Sequence, residues 1–161
     1  IRPTHLDSHH HLHLLPGMLE AVLGLAMEHG IGAVRLPRRW RFQPRRVHEP
    51  RRWYARCLTS ESRRRRALGK KLSAVDQAWV LSPEGGQQLL TLYRNALENV
   101  SGGTHEFICH PGFSSEELKK MDSYTRQREA ELEALTRPEL FEVIQKKGIR
   151  LVHFGSDFSS L

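Results

Sequence analysis

The first forty residues set two short β-prone runs around one amphipathic stretch, and that order leaves few folds open. Residues 4–9 read as a strand. From Gly17 to His29 the apolar residues Leu19, Val22, Leu23 and Ala26 recur at helical spacing, so a single face can be buried. Gly30 is a natural stop for that helix. Ile31-Gly32-Ala33-Val34-Arg35-Leu36 then reads as a second strand, ended by Pro37. Strand, helix and strand in this order make a βαβ unit, with parallel strands and a right-handed crossover.

The alternation continues downstream. Residues 37–50 read as a loop, 52–71 as a helix and 74–81 as a short strand. Ser82-Pro83-Glu84-Gly85 opens a helix to about Asn99, with Leu89, Leu90, Tyr93 and Leu97 at helical spacing, and Ser101-Gly102-Gly103 breaks it. Residues 104–109 read as a strand and Tyr124 to Leu135 as a charged helix. Thr136 is expected to cap a further helix, with Glu139 completing a capping box and Gly148 as the stop. Residues 149–154 read as a last strand and 155–161 as a flexible tail. The expected class is α/β: one domain over 1–154, a basic insertion at about 37–66, and a parallel sheet or partial (β/α) barrel. The strands are too few to close a barrel. The chain also begins at Ile1 rather than at a methionine. Both features suggest a piece of a longer protein.

Functionally, the densest stretch is Thr4-His5-Leu6-Asp7-Ser8-His9-His10-His11-Leu12-His13. On an extended strand His5, Asp7, His9, His11 and His13 would share one face. Imidazoles beside a carboxylate are suitable donors for a divalent metal. A purification tag would be uninterrupted and terminal, whereas this run is broken by Leu12 and lies between Pro3 and Pro16. A solvated histidine tract does not explain the interleaved leucines, which need an interior.

The net charge of +7 is concentrated in arginines between residues 35 and 66, with Trp40, Phe42, Trp53 and Tyr54 interleaved. Such a segment suits nucleic acid or an anionic membrane surface, but equally a solvated face, and no nucleic-acid motif accompanies it. Cys57 and Cys109 make neither a disulfide framework nor a zinc-ribbon spacing, so a reducing, cytoplasmic setting is expected. No apolar run reaches the length of a membrane span.

Three segments together resemble the YdjC-like carbohydrate deacetylase family, which includes chitooligosaccharide deacetylases. They are Pro3 to His13 with Ala33-Val34-Arg35; Glu106-Phe107-Ile108-Cys109-His110-Pro111-Gly112-Phe113; and Arg128-Glu129-Ala130-Glu131-Leu132 through Leu135-Thr136 to Gly148-Ile149-Arg150-Leu151. The resemblance implies an irregular (β/α) barrel of polysaccharide-deacetylase type. It implies a divalent metal, Mg or Zn, and hydrolysis of an N-acetyl group from an amino sugar or related glycolipid. His9 matches the family's metal-binding histidine. Asp7 is expected to orient a ligand or contact water, and His110 to act as general acid or polarise the substrate. His11 and His13 would line the pocket or hold structure, and Asp76 matches an aspartate of the middle region. The family's first-strand aspartate pair and a second metal histidine fall upstream of Ile1, so this chain alone is expected to be inactive.

Two other readings remain. A different metal hydrolase of amidohydrolase type would use His9 and His11 together as ligands. A non-enzymatic basic module would bind nucleic acid or anionic lipid through residues 35–66, with the salt dependence of phosphate contacts. Peripheral membrane contact and a homo-oligomer are compatible with either. Trp40, Trp53 and Trp79 are candidates for stacking on sugar rings.

Overall fold

A computed structural model describes residues 2–37, 39–42, 75–81 and 88–155. Most of the arginine-rich insertion, the expected helix over 52–71, Trp53 and the tail beyond Gly155 lie outside the described residues. Two compact units emerge. The first takes in residues 1–78, 103–106 and 152–161; the second takes in 79–102 and 107–151.

The first unit is built on the expected βαβ element. Strand β1 (His5–Leu6) pairs in parallel with β2 (Ala33–Val34), His5 opposite Ala33 and Leu6 opposite Val34. Helix α1 (Met18–Glu28) forms the crossover. Its apolar stripe is buried with Leu14, Ile31, Val34 and Leu36, and Leu6, Val22 and Trp40 pack against this core. The start of α1 is fixed by Glu20, whose carboxylate accepts the Gly17 N–H at 3.1 Å. At its end Gly30 adopts φ 62°, the Ile31 N–H reaches Ala26 O and the Gly30 N–H reaches Met27 O. That is the paired closure a left-handed glycine permits.

Within 37–50, expected to be loop, β3 (Arg39–Phe42) lies beside β4 (Gln77–Val80), which in turn pairs with β5 (His105–Ile108). Local composition hides β3, because an exposed basic strand gains its order from a neighbour's hydrogen bonds rather than from its own pattern. The architecture is mixed α/β with two small sheets, and neither closes into a barrel among the described residues.

In the second unit α2 (Leu89–Glu98) packs against α4 (Arg126–Leu135) and α5 (Pro138–Lys146). Leu92, Tyr93, Ala96, Ala134, Leu140 and Val143 are buried between them. A short helix α3 (Glu116–Met121), not expected from the sequence, starts where Ser115 Oγ accepts the Leu118 N–H. The capping box at Thr136 does not form. The Thr136 hydroxyl donates back to Leu132 O at 2.9 Å, and α5 begins one residue later with Pro138 in its first turn. Proline presets the helical φ and needs no partner for an N–H it lacks, so the hydroxyl is not required as a cap. Gly148 stops α5 as expected, at φ 61° and with the same double closure. The expected strand at 149–154 is absent: residues 149–153 carry no regular structure, and Leu151 is exposed.

Candidate active site

The histidine tract does not continue as strand. Ser8 is extended, but His9–Leu14 winds into a tight 3-10 run in which His10 (φ 53°) and His11 (φ 56°) take left-handed backbone. Two successive non-glycine residues there cost roughly 1–3 kcal/mol each and persist only where surrounding contacts impose them. The expected row of imidazoles on one face is therefore corrected, because period-two alternation needs extended backbone. His9 and His10 are exposed, with ring centroids 4.0 Å apart. His11 is half-buried, edge-on to Trp40 at 4.9 Å, and His13 is fully buried. His5 stacks on Phe154 at 4.4 Å.

His13 is a structural post. Its Nε2 lies 2.8 Å from the Arg35 carbonyl, which can only accept, so Nε2 carries the proton. Nδ1 then accepts from the Ser8 hydroxyl at 2.8 Å, and Ser8 Oγ accepts the His13 N–H at 2.9 Å. Burial lowers its pKa, with the bond to the Arg35 carbonyl opposing. The turn is thereby tied to the end of β2.

Beside it runs a charged chain that the sequence reading did not assign. The Arg35 guanidinium hydrogen-bonds Asp7 Oδ2 through one nitrogen and faces Glu106 Oε1 at 2.8 Å through another. Asp7 Oδ1 stands 3.8 Å from His11 Nδ1 and 3.7 Å from His13 Nδ1, beyond hydrogen-bond reach. Burial pushes the His11 imidazole down to about 4, with Asp7 only partly opposing. His11 is thus neutral near neutral pH. Burial pushes the Glu106 carboxyl up, and Arg35 pulls against it. His11 Nδ1 and Glu106 Oε2 are buried without a hydrogen-bond partner, and such atoms in a native fold call for an explanation. Charged residues inside short apolar runs, Arg35 after Ala33-Val34 and Glu106 before Phe107-Ile108, were the available sequence signal.

In the second unit His110 is exposed, just past the end of β5. Its N–H donates to Glu131 Oε2, and its ring meets Tyr124 edge-on at 5.8 Å. Glu131 is only 2% exposed, and its Oε1 accepts the Tyr124 hydroxyl. Arg128 reaches Asp122 at 2.9 Å and lies over the Tyr124 ring. Sequence reasoning placed Glu131 within a motif without seeing its partners, Tyr124 seven and His110 twenty-one positions before it.

Asp76 sits in the first unit, where Oδ2 accepts the Thr104 N–H at 2.9 Å. The backbone N–H of Asp76 also reaches Thr104 O. This carboxylate closes the turn into β5. Trp40 packs on the first unit's core, and Trp79 stacks on Phe107 at 5.7 Å within the second unit. Among the described residues no three His, Cys, Asp or Glu side chains converge to hold a metal ion. Exposed His9 is available as a donor, but one imidazole falls short of the three protein ligands a catalytic site usually takes. The described residues therefore do not fit a complete metal site. Among them, no helix is long and apolar enough to cross a membrane.

The YdjC-like protein family model matches residues 1–146. A carbohydrate deacetylase of Clostridium beijerinckii is 29% identical over 96% of this chain and 53% of its own length. A second carbohydrate deacetylase, from Geobacillus stearothermophilus, is 31% identical over 96% of this chain and 51% of its own. A chitooligosaccharide deacetylase of Enterobacter is 30% identical over 94% and 52%. The chain spans about half the length of these curated relatives.

Proposed function

The chain belongs to the YdjC-like protein family, and on that footing we propose that the protein is a carbohydrate deacetylase, hydrolysing the acetamido group of an amino sugar. The observation that carries this reading is the near-complete coverage of the chain by relatives named for that activity, at 96% of its residues. The fold then belongs to a partial (β/α) barrel, with the βαβ element of β1, α1 and β2 as one repeat.

The reaction adds water to the acetyl carbonyl, breaks the C–N bond, and releases acetate and a free amine. A leaving amine needs a proton. His110 supplies it in this reading, from an exposed imidazole at a strand end. Asp7, one of whose oxygens is fixed by Arg35, orients a ligand or contacts the water in this reading. His11, neutral and with a free buried Nδ1, accepts a hydrogen bond from a sugar hydroxyl. A divalent ion, Mg or Zn, belongs to the proposal on family grounds, with His9 its one ligand from the described residues.

Acetate release from N-acetylated chitooligosaccharides by a purified protein that carries this chain and spans the full length of the curated relatives, with and without added metal, tests this. His110→Ala is expected to lower kcat by about 10²–10⁴-fold. Absence of acetate release under every metal condition would sink the reading. His9→Ala is expected to lose bound metal and His11→Ala to keep it; loss of metal in both variants would favour the paired-histidine amidohydrolase, and the reverse pattern would overturn His9 as the ligand.

A further inference from the structure

The loop that carries His110 is held to α4 at every second residue. The His110 N–H donates to Glu131 Oε2, the Gly112 N–H to Arg128 O at 3.2 Å, and the Ser114 N–H to Glu129 Oε1 at 3.1 Å. The Ser114 hydroxyl adds a bond to Thr125 O at 2.9 Å. Only the first of these contacts uses a buried carboxylate, at 2% exposure.

Burying a carboxylate costs several kcal/mol unless its oxygens are well satisfied. For packing alone, a leucine or glutamine at 131 would be the cheaper solution. Each Glu131 oxygen takes one strong, charge-assisted bond, from the His110 N–H and from the Tyr124 hydroxyl. Tyr124 in turn meets the His110 ring edge-on. One carboxylate therefore grips His110 twice: its backbone directly, and its ring through the tyrosine it leans on.

We propose that Glu131 is a positioning residue for His110, fixing the direction in which the imidazole leaves the end of β5. The functional consequence rests on the deacetylase reading above. The geometric claim does not. A group held within a fraction of an ångström delivers its proton efficiently, and a displacement of about 1 Å costs on the order of 10²-fold.

The experiment compares, in a protein that carries this chain and spans the full length of the curated relatives, the wild type with Glu131→Gln, Tyr124→Phe and the exposed control Glu133→Gln. Glutamine keeps the shape of Glu131 but turns one acceptor into a donor, so one of the two grips is lost. In E131Q, kcat for acetate release is expected to fall by on the order of 10²-fold with KM nearly unchanged. The pH–rate profile is expected to change as well. Y124F, which removes the hydroxyl's bond to Glu131 and leaves the His110 N–H bond in place, should show a smaller fall in the same direction, and E133Q none. A purely structural Glu131 would lower Tm and the folded fraction while leaving the pH profile of the folded enzyme intact; that result would overturn the proposal.

A second readout needs no turnover. The His110 backbone amide is expected to be rigid, with an NMR order parameter near 0.85, and to fall below about 0.6 in E131Q but not in E133Q. An unchanged order parameter would also overturn the proposal. If E131Q does not fold, Y124F carries the kinetic test, and an unchanged kcat and pH profile in Y124F would overturn the proposal. If the wild-type protein releases no acetate, the deacetylase reading falls, and the amide measurement alone decides the role of Glu131.

Discussion

Ser8 and His13 hold each other through two hydrogen bonds: the His13 N–H donates to Ser8 Oγ at 2.9 Å, and the Ser8 hydroxyl donates to His13 Nδ1 at 2.8 Å. The pair closes the left-handed turn at His10 and His11, and His13 Nε2 then anchors it to the Arg35 carbonyl. A strained turn is thus paid for by a buried, tautomer-defined imidazole.

Ser8→Ala leaves Nδ1 and the N–H of a buried histidine without a partner. The expected loss is about 1–3 kcal/mol of stability in a denaturant titration. Ser8→Thr keeps the hydroxyl and should retain most of it. Equal stability of S8A and wild type would mean that water or another group replaces the serine.

Arg35→Met removes the cation shared by Asp7 and Glu106, whose side chains are 28% and 14% exposed. The cost is about 2–3 kcal/mol, less than for a fully buried pair. The sign of the pH dependence follows from Glu106, whose folded pKa is raised above 4.5 by burial and held back by Arg35. A raised carboxyl contributes stability that is present below its unfolded pKa and lost as pH rises through the folded one. Without Arg35 the carboxyl rises further. R35M should therefore lose more Tm than wild type between mildly acidic and mildly alkaline pH.

Gly103 has φ 111°, and a Cβ there would lie 2.8 Å from Asp76 Oδ2. Gly103→Ala is expected to cost roughly 1–3 kcal/mol from backbone strain plus the clash. Asp76→Ala alone loses the bond to the Thr104 N–H, about 1 kcal/mol. Because D76A also removes the clashing oxygen, the double variant should be less destabilised than the sum of the two. Strict additivity would show that the close approach does not limit the turn.

Tyr93 is 2% exposed, and its hydroxyl is buried without a hydrogen-bond partner. Burial raises its pKa above the usual value of about 10, with Glu131 adding to the shift. Its stability contribution is present below about pH 10 and lost as pH rises toward the folded pKa. Phenolate absorbance should show Tyr93 ionising late, together with unfolding. Tyr93→Phe removes an unpaired polar atom, so it is expected to be neutral or stabilising by up to about 1 kcal/mol and to delay alkaline unfolding.

What the sequence determined is local. The stripe Leu19, Val22, Leu23 and Ala26 gave α1, the flanking apolar runs gave a parallel pair of strands, and Gly30 and Gly148 marked where two helices stop. These features depend on periodicity and on backbone freedom at single residues, both readable within one or two turns of chain. The tertiary structure decided the chemistry around the histidines. Alternation put five side chains on one face, whereas the ties from His13 to Ser8 and Arg35 wind the tract into a left-handed turn that splits them. Arg35 with Glu106, and Glu131 with His110, lie 71 and 21 positions apart. Hydrogen bonds between such distant residues leave no period in the sequence, because their geometry exists only once the elements carrying them have packed.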